Sequence, residues 1–183
     1  MNTASDVKNA EKNAKLLVLW YGISLLVVIL DLFTKKLVSD AFVLYERVNV
    51  FPMFDITLRH NYGAAFSFLA AQDGWQVWFF GILAGAVSIA LIVWIARIGR
   101  TKNLEVLGLA LILGGAIGNL YDRVTLGYVV DFILVYYNEA KQFPAFNIAD
   151  SAITVGAGVI LLDAFLKHKK EKQANSKETE ATS

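Results

Sequence analysis

Four stretches of this chain are apolar for long enough to cross a lipid bilayer, and no other feature limits the possible folds as strongly. The hydrocarbon core of a bilayer takes about 20 consecutive apolar residues as a helix, and a segment inside it must satisfy its own backbone hydrogen bonds. The stretches fall at about residues 16–38, 75–96, 104–121 and 148–166. With 56% hydrophobic and 18% charged residues in 183, the sequence is far from the composition of a soluble domain. A net charge of +1 says nothing about a nucleic-acid partner, but no basic face interleaved with aromatics appears outside the short termini, so no nucleic-acid partner is expected. There is no cysteine, hence no disulfide, thiolate nucleophile or cysteine-ligated metal.

The first stretch follows Lys8, Lys12 and Lys15, and a basic segment before an apolar one also describes a cleavable signal peptide. No small-residue cleavage site follows. The pattern runs on into Asp31-Leu-Phe-Thr-Lys35, whose acid and base are helical neighbours able to pair at the membrane boundary, so the stretch reads as a retained span. Trp75, Trp78 and Trp94 are spaced like interfacial aromatics on the second span, and Gly108, Gly114, Gly115 and Gly118 suit close helix packing on the third.

Residues 41–73 cannot span, because Glu46, Arg47, Asp55, Arg59 and Asp73 break every window. Within them Phe54, Ile56 and Leu58 alternate with Asp55, Thr57 and Arg59, the period of a half-buried strand, which predicts a small extramembrane sheet. Residues 122–147 form a second extramembrane segment. Residues 1–15 read as a polar arm, and 167–183 as a polar, aromatic-free tail expected to be disordered. Of the Lys and Arg residues, 11 lie in the arm, the 97–103 loop and the tail, and 6 in or beside the two longer loops. By the positive-inside rule both termini are cytoplasmic and the long loops face outward.

The polar residues that interrupt the apolar pattern gather at that outer face. Asn119, Asp122 and Arg123 stand at i, i+3 and i+4 near the end of the third span, and Asp131 follows. Asn147-Ile-Ala-Asp150 reads as a capped helix start, with Asn147 as N-cap and Asp150 favoured by the helix dipole. Capping alone does not explain why Asp131 and Asp150 fall at the same depth. Two carboxylates sharing a low-dielectric pocket hold a proton between them, which supplies the acid and the base needed to activate water. Amide hydrolysis is within reach of such a pair. A Ser-His triad is unsupported, since His60 and His168 fall on opposite sides, and nothing in their spacing singles out Ser67 with Lys35. Paired histidines at zinc spacing are absent.

Five motifs in order then carry a resemblance: Asp31-Leu-Phe-Thr-Lys35, Asn61-Tyr-Gly-Ala-Ala-Phe66, Gly114 to Arg123, Gly127-Tyr-Val-Val-Asp-Phe132 and Phe146-Asn-Ile-Ala-Asp150. Together they resemble bacterial lipoprotein signal peptidase, signal peptidase II, over about residues 16–166. The resemblance implies a membrane all-α fold with a small β element: four transmembrane helices, an extracytoplasmic β-cradle and a mobile segment over the site. It also implies a metal-free and cofactor-free aspartic endopeptidase of the bacterial inner membrane. The implied substrate is a diacylglyceryl-modified prolipoprotein met in the lipid bilayer and cleaved just before the lipidated cysteine; cyclic peptides of the globomycin type are implied inhibitors. Asp131 and Asp150 match the family's catalytic aspartates, and Asp31, Lys35, Asn61, Gly63, Asn119, Asp122, Arg123 and Asn147 its substrate-binding or supporting positions. Asp31 with Lys35, and Asp122 with Arg123, read equally as scaffold pairs. The competing class is a small transporter or channel subunit with the acids along an ion path, which would place them nearer the bilayer midplane.

Overall fold

The computed structural model of the chain describes residues 4–63, 75–101, 103–138 and 141–182. Ala64 to Phe66 of the Asn61 motif, Ser67, Asp73 and Lys102 lie outside the described residues. Each apolar stretch is a helix: α1 is Ala4–Ala41, α2 Trp75–Ile98, α3 Leu104–Thr125 and α4 Ile148–Thr182. All four are long and apolar enough to cross a membrane. Their outer surfaces are apolar as well; Trp78 and Ile82 of α2 are each 72% exposed. Such a surface would aggregate in water and is matched to lipid, so the chain is a multi-pass membrane protein.

Helix α3 is the hub on which the other three pack. Its Val106, Leu109, Ala110 and Leu113 meet Trp20 of α1 and Leu91 and Ile95 of α2. Toward α4 the contact is backbone against backbone, because a Cβ on Gly108 would stand 2.6 Å from the carbonyl oxygen of Gly156, and one on Gly115 would strike that of Ala149. Small residues thus let the two helices that carry the site's polar groups approach as closely as helices can.

The two extramembrane segments form one antiparallel sheet in the order β1 (Arg47–Phe51), β2 (Phe54–Asn61), β3 (Val129–Asn138) and β4 (Lys141–Gln142). The alternation at 54–59 lies within β2. The sheet is tied across three strands by Asp55, which pairs with Arg47 and accepts from Asn49 Nδ2 (2.8 Å) and the Tyr136 hydroxyl (3.2 Å). These bonds hold a buried carboxylate fully partnered, and so fix the register of the three strands. Asp131 sits inside β3.

The tail departs from its expected disorder. Helix α4 continues to Thr182, and α1 already begins at Ala4. The reason is local: beyond Gly158 there is neither glycine nor proline to stop the helix, and Lys, Glu, Gln and Ala are strong helix formers. Lys167 adds an i, i+4 pair with Asp163 (2.7 Å) and reaches Glu105 of α3 at 3.0 Å.

Candidate active site

The sheet meets the helices where α3 ends and α4 begins, and the polar residues of the sequence motifs converge there. Lys35 of α1, 3% exposed, is the electrostatic centre of the scaffold. Its ammonium pairs with Asp31 Oδ2 at 2.7 Å and Asp122 Oδ2 at 2.9 Å, and donates to Asn119 Oδ1 at 2.9 Å. Two carboxylates and an amide oxygen thus surround the ammonium and compensate for its removal from water. Both carboxylates are also hydrogen-bonded to backbone of other elements. Asp31 Oδ1 accepts the backbone N–H of Ala149 (2.8 Å) in the first turn of α4, and Asp122 Oδ2 accepts that of Val130 (3.1 Å) in β3. One lysine therefore fixes the starts of the two elements that carry Asp150 and Asp131. Gly118 makes room for it, since a Cβ there would lie 2.6 Å from Asp31 Oδ2.

Two asparagines then join the acids. Asn119 Nδ2 donates to Asp150 Oδ1 at 2.7 Å, and its Oδ1 also accepts from Asn147 Nδ2 at 3.1 Å. Asn147 is fully buried. Its Oδ1 accepts the backbone N–H of Asp150 at 2.8 Å, the N-cap bond expected from the sequence. Its Nδ2 turns to the other acid, donating to Asp131 Oδ1 at 2.8 Å and Val130 O at 3.2 Å. The Asn147 amide thus caps the Asp150 backbone and holds the Asp131 side chain. The physical reason is placement, since the N-cap side chain lies beside β3 while Asn119 already faces the Asp150 carboxylate.

The second oxygen of Asp131 accepts from Asn61 Nδ2 at 3.0 Å. Asn61 is held in turn, because its Oδ1 accepts the N–H of Gly63 at 2.9 Å. Gly63 has φ +87°, and its Cα packs so closely on the Phe80 ring of α2 that a Cβ would fall 2.6 Å away. Both facts require glycine. Arg123 closes the arrangement, with its Nη1 donating to Asn119 O at 3.1 Å and its guanidinium 5.9 Å over Phe80. His60, on the opposite face of β2 from Asn61, stacks on Tyr128 at 3.8 Å and takes no part in the network. Lys35 is saturated by its three partners; Ser67, its rival partner in the sequence, lies outside the described residues.

Asp131 is 3% exposed, and burial, followed by the charge of Asp150, pushes its pKa up to about 7 against the opposing hydrogen bonds from Asn61 and Asn147 and the charge of Lys35. The arrangement is thus two carboxyl groups bridged by two amides, one of them able to hold a proton near neutral pH. Beside Asp150 a cavity of about 380 Å³, lined among others by Phe143, Phe146, Thr154 and Val155, opens along α4. The remote bonds from Asp31 to α4 and from Asp122 to β3 were missed from sequence, since no local pattern marks contacts of that separation.

The chain is similar to known proteins over most of its length. A family model described as signal peptidase (SPase) II matches residues 23–166. A lipoprotein signal peptidase of Teredinibacter turnerae is 51% identical over 158 residues, covering 86% of this chain and 94% of that protein. One from Pseudomonas putida is 52% identical over 153 residues, covering 83% and 90%. A solved bacterial membrane enzyme, determined by the in meso method at 2.3 Å resolution, superposes with a TM-score of 0.69 at 35% identity, over 82% of this chain and 88% of its own.

Proposed function

The chain belongs to the signal peptidase II family, and from that premise we infer that it removes the signal peptide of diacylglyceryl-modified prolipoproteins, with Asp131 and Asp150 as its catalytic pair. The observation that carries the assignment of the pair is the bridge Asp150–Asn119–Asn147–Asp131, which holds two acids of different elements in one buried network. The family is a peptidase family, and this is the arrangement an aspartic peptidase needs.

The mechanism follows from where the proton rests. Asp131, whose pKa burial and the charge of Asp150 raise, serves as the acid: it polarises the carbonyl before the lipidated cysteine and passes its proton to the carbonyl oxygen as water adds. Asp150 takes a proton from the attacking water, which adds to the carbon to give a gem-diol. Asp150 then returns the proton to the leaving amine while Asp131 recovers its own, the C–N bond breaks, and the new carboxyl ends the signal peptide. Asn119 and Asn147 keep both carboxyl groups oriented through these exchanges. Asp31, Lys35 and Asp122 act one layer further out, fixing the backbone from which the acids project.

The placement suits a substrate anchored in lipid. Its apolar signal peptide and acyl chains stay among the helices while its peptide bond meets the acids at their ends, where water is available. The charge bias of the loops supports the extracytoplasmic side of the inner membrane for this end, with both termini cytoplasmic. Cyclic peptides of the globomycin type are the inhibitors expected to occupy the same site. The reading is tested by Asp131→Asn and Asp150→Asn, each expected to abolish the gel shift of a lipidated prolipoprotein while the protein stays folded and inserted. Near-normal turnover in either variant removes that residue from the pair.

A further inference from the structure

Arg59 is a cation at the site for which the network around the acids has no use. In the β2–β3 register it stands opposite Asp131, two residues from Asn61, which stands opposite Val129. Strand alternation therefore puts Arg59, Asn61 and Asp131 on one face of the sheet. The neighbouring cations are committed: Lys35 to Asp31, Asp122 and Asn119, Arg47 to Asp55, and Arg123 to the Asn119 carbonyl. Arg59 has its guanidinium 5.6 Å over the Tyr45 ring, and its Nε–H is buried with no acceptor among the described residues. Tyr45 is itself held in an unusual way. Its φ is +70°, sparsely populated for a bulky residue, and its N–H is fixed to Leu58 O at 2.8 Å. A strained turn thus presents an aromatic face that steadies an arginine which pairs with no carboxylate among the described residues.

The position of Arg59 along β2 says what it meets. Asn61 faces Val129, the first residue of β3 after α3, and Arg59 faces Asp131 two residues further along β3, so Arg59 flanks Asp131 on the side of β2. A substrate whose signal peptide lies among the helices leaves the acids on that side, with the residues that follow its lipidated cysteine crossing the face Arg59 shares with Asp131. We propose that Arg59 determines specificity by reading charge at the positions immediately after the lipidated cysteine, favouring an acidic side chain and disfavouring a basic one. The proposal rests on the reading of the chain as a prolipoprotein peptidase. A unit charge ~6 Å from the guanidinium in a water-like dielectric changes transition-state affinity about threefold, so acidic and basic substrates should differ by about tenfold, less at high salt.

The test uses three diacylglyceryl peptides identical except for the two residues after the cysteine, which are Asp, Ser or Lys, with the full-length enzyme in micelles. Wild type should show kcat/KM for the Asp peptide about tenfold above that for the Lys peptide. Arg59→Gln should bring the ratio close to one, and Arg59→Glu should invert it; the Gln variant keeps the question answerable if the Glu variant does not fold. An acidic-to-basic ratio unchanged in Arg59→Gln overturns the proposal, as does an equal loss on all three peptides, the mark of a structural or lipid-headgroup contact. Failure of wild type to cleave any of the peptides would sink the peptidase reading itself, and the proposal with it.

Discussion

Asn147 separates a helix cap from a positioning residue more sharply than any other group at the site, because its two ends do different work. The Oδ1 caps α4 through the Asp150 N–H, and the Nδ2 holds Asp131 Oδ1, both at 2.8 Å. Asn147→Ser keeps an oxygen for the cap but cannot reach Asp131; Asn147→Ala loses both. If the residue only caps, serine should be nearly silent and alanine should cost roughly 1 kcal/mol of stability, with turnover per folded molecule unchanged. The geometry forecasts otherwise. A hydrogen bond to an ionisable carboxyl is worth about 1.5–3 kcal/mol, so losing it should lower kcat by roughly 10- to 100-fold in both variants. A pH profile adds a second signature. The Asn147 bond lowers the pKa of Asp131, so its loss should raise that pKa and move the alkaline limb of activity upward. Initial rates on lipidated prolipoprotein, normalised to folded enzyme, decide the matter: wild-type rates and an unmoved limb in Asn147→Ser would refute the positioning role.

The other expectations concern protons, charge and topology. With a folded pKa of about 7 for Asp131 against an ordinary 3.8, the folded state binds the extra proton between those values, so stability falls as pH rises through that window, by up to about 4 kcal/mol. Melting curves should show wild type losing stability from pH 5 to 8 and Asp131→Asn losing much less; cleavage should decline as pH rises above about 7, when the pair loses its shared proton. Lys35→Met leaves Asp31 and Asp122 buried without their cation and should cost roughly 3–5 kcal/mol, read as a large fall in melting temperature, whereas an unchanged melting temperature would remove Lys35 from the scaffold. A reporter fused after residue 140 should read as extracytoplasmic and one at 100 or 170 as cytoplasmic; the reverse would place the site away from exported substrates.

What the sequence revealed, and what it hid, follows from the range of each interaction. The spans are legible because a bilayer demands apolarity over a whole helix, and β2 because its apolar and polar residues alternate with a period of two, although the polar Asp55 and Thr57 turn out to be the buried ones, held by the hydrogen bonds of the sheet. Strand β3 lacks that signature. Val129 to Phe132 are buried on both faces, so the strand that holds Asp131 is written as a continuous apolar run with one acid in it. The tail misled for the opposite reason, since its composition suits a disordered segment and a solvated helix equally well, and only the missing helix breakers argued for the helix. The motifs marked nearly every polar residue that the fold gathers, yet not the bonds between them. Asp31 meets Ala149 across 118 positions, and Lys35 meets Asn119 across 84. Such bonds are invisible to any local rule, and they explain why so many charged residues sit where burial is costly. Each lone ion would be expelled or neutralised there; joined through Lys35, they become the rigid frame that lets Asn119 and Asn147 hold two carboxyl groups in one buried network.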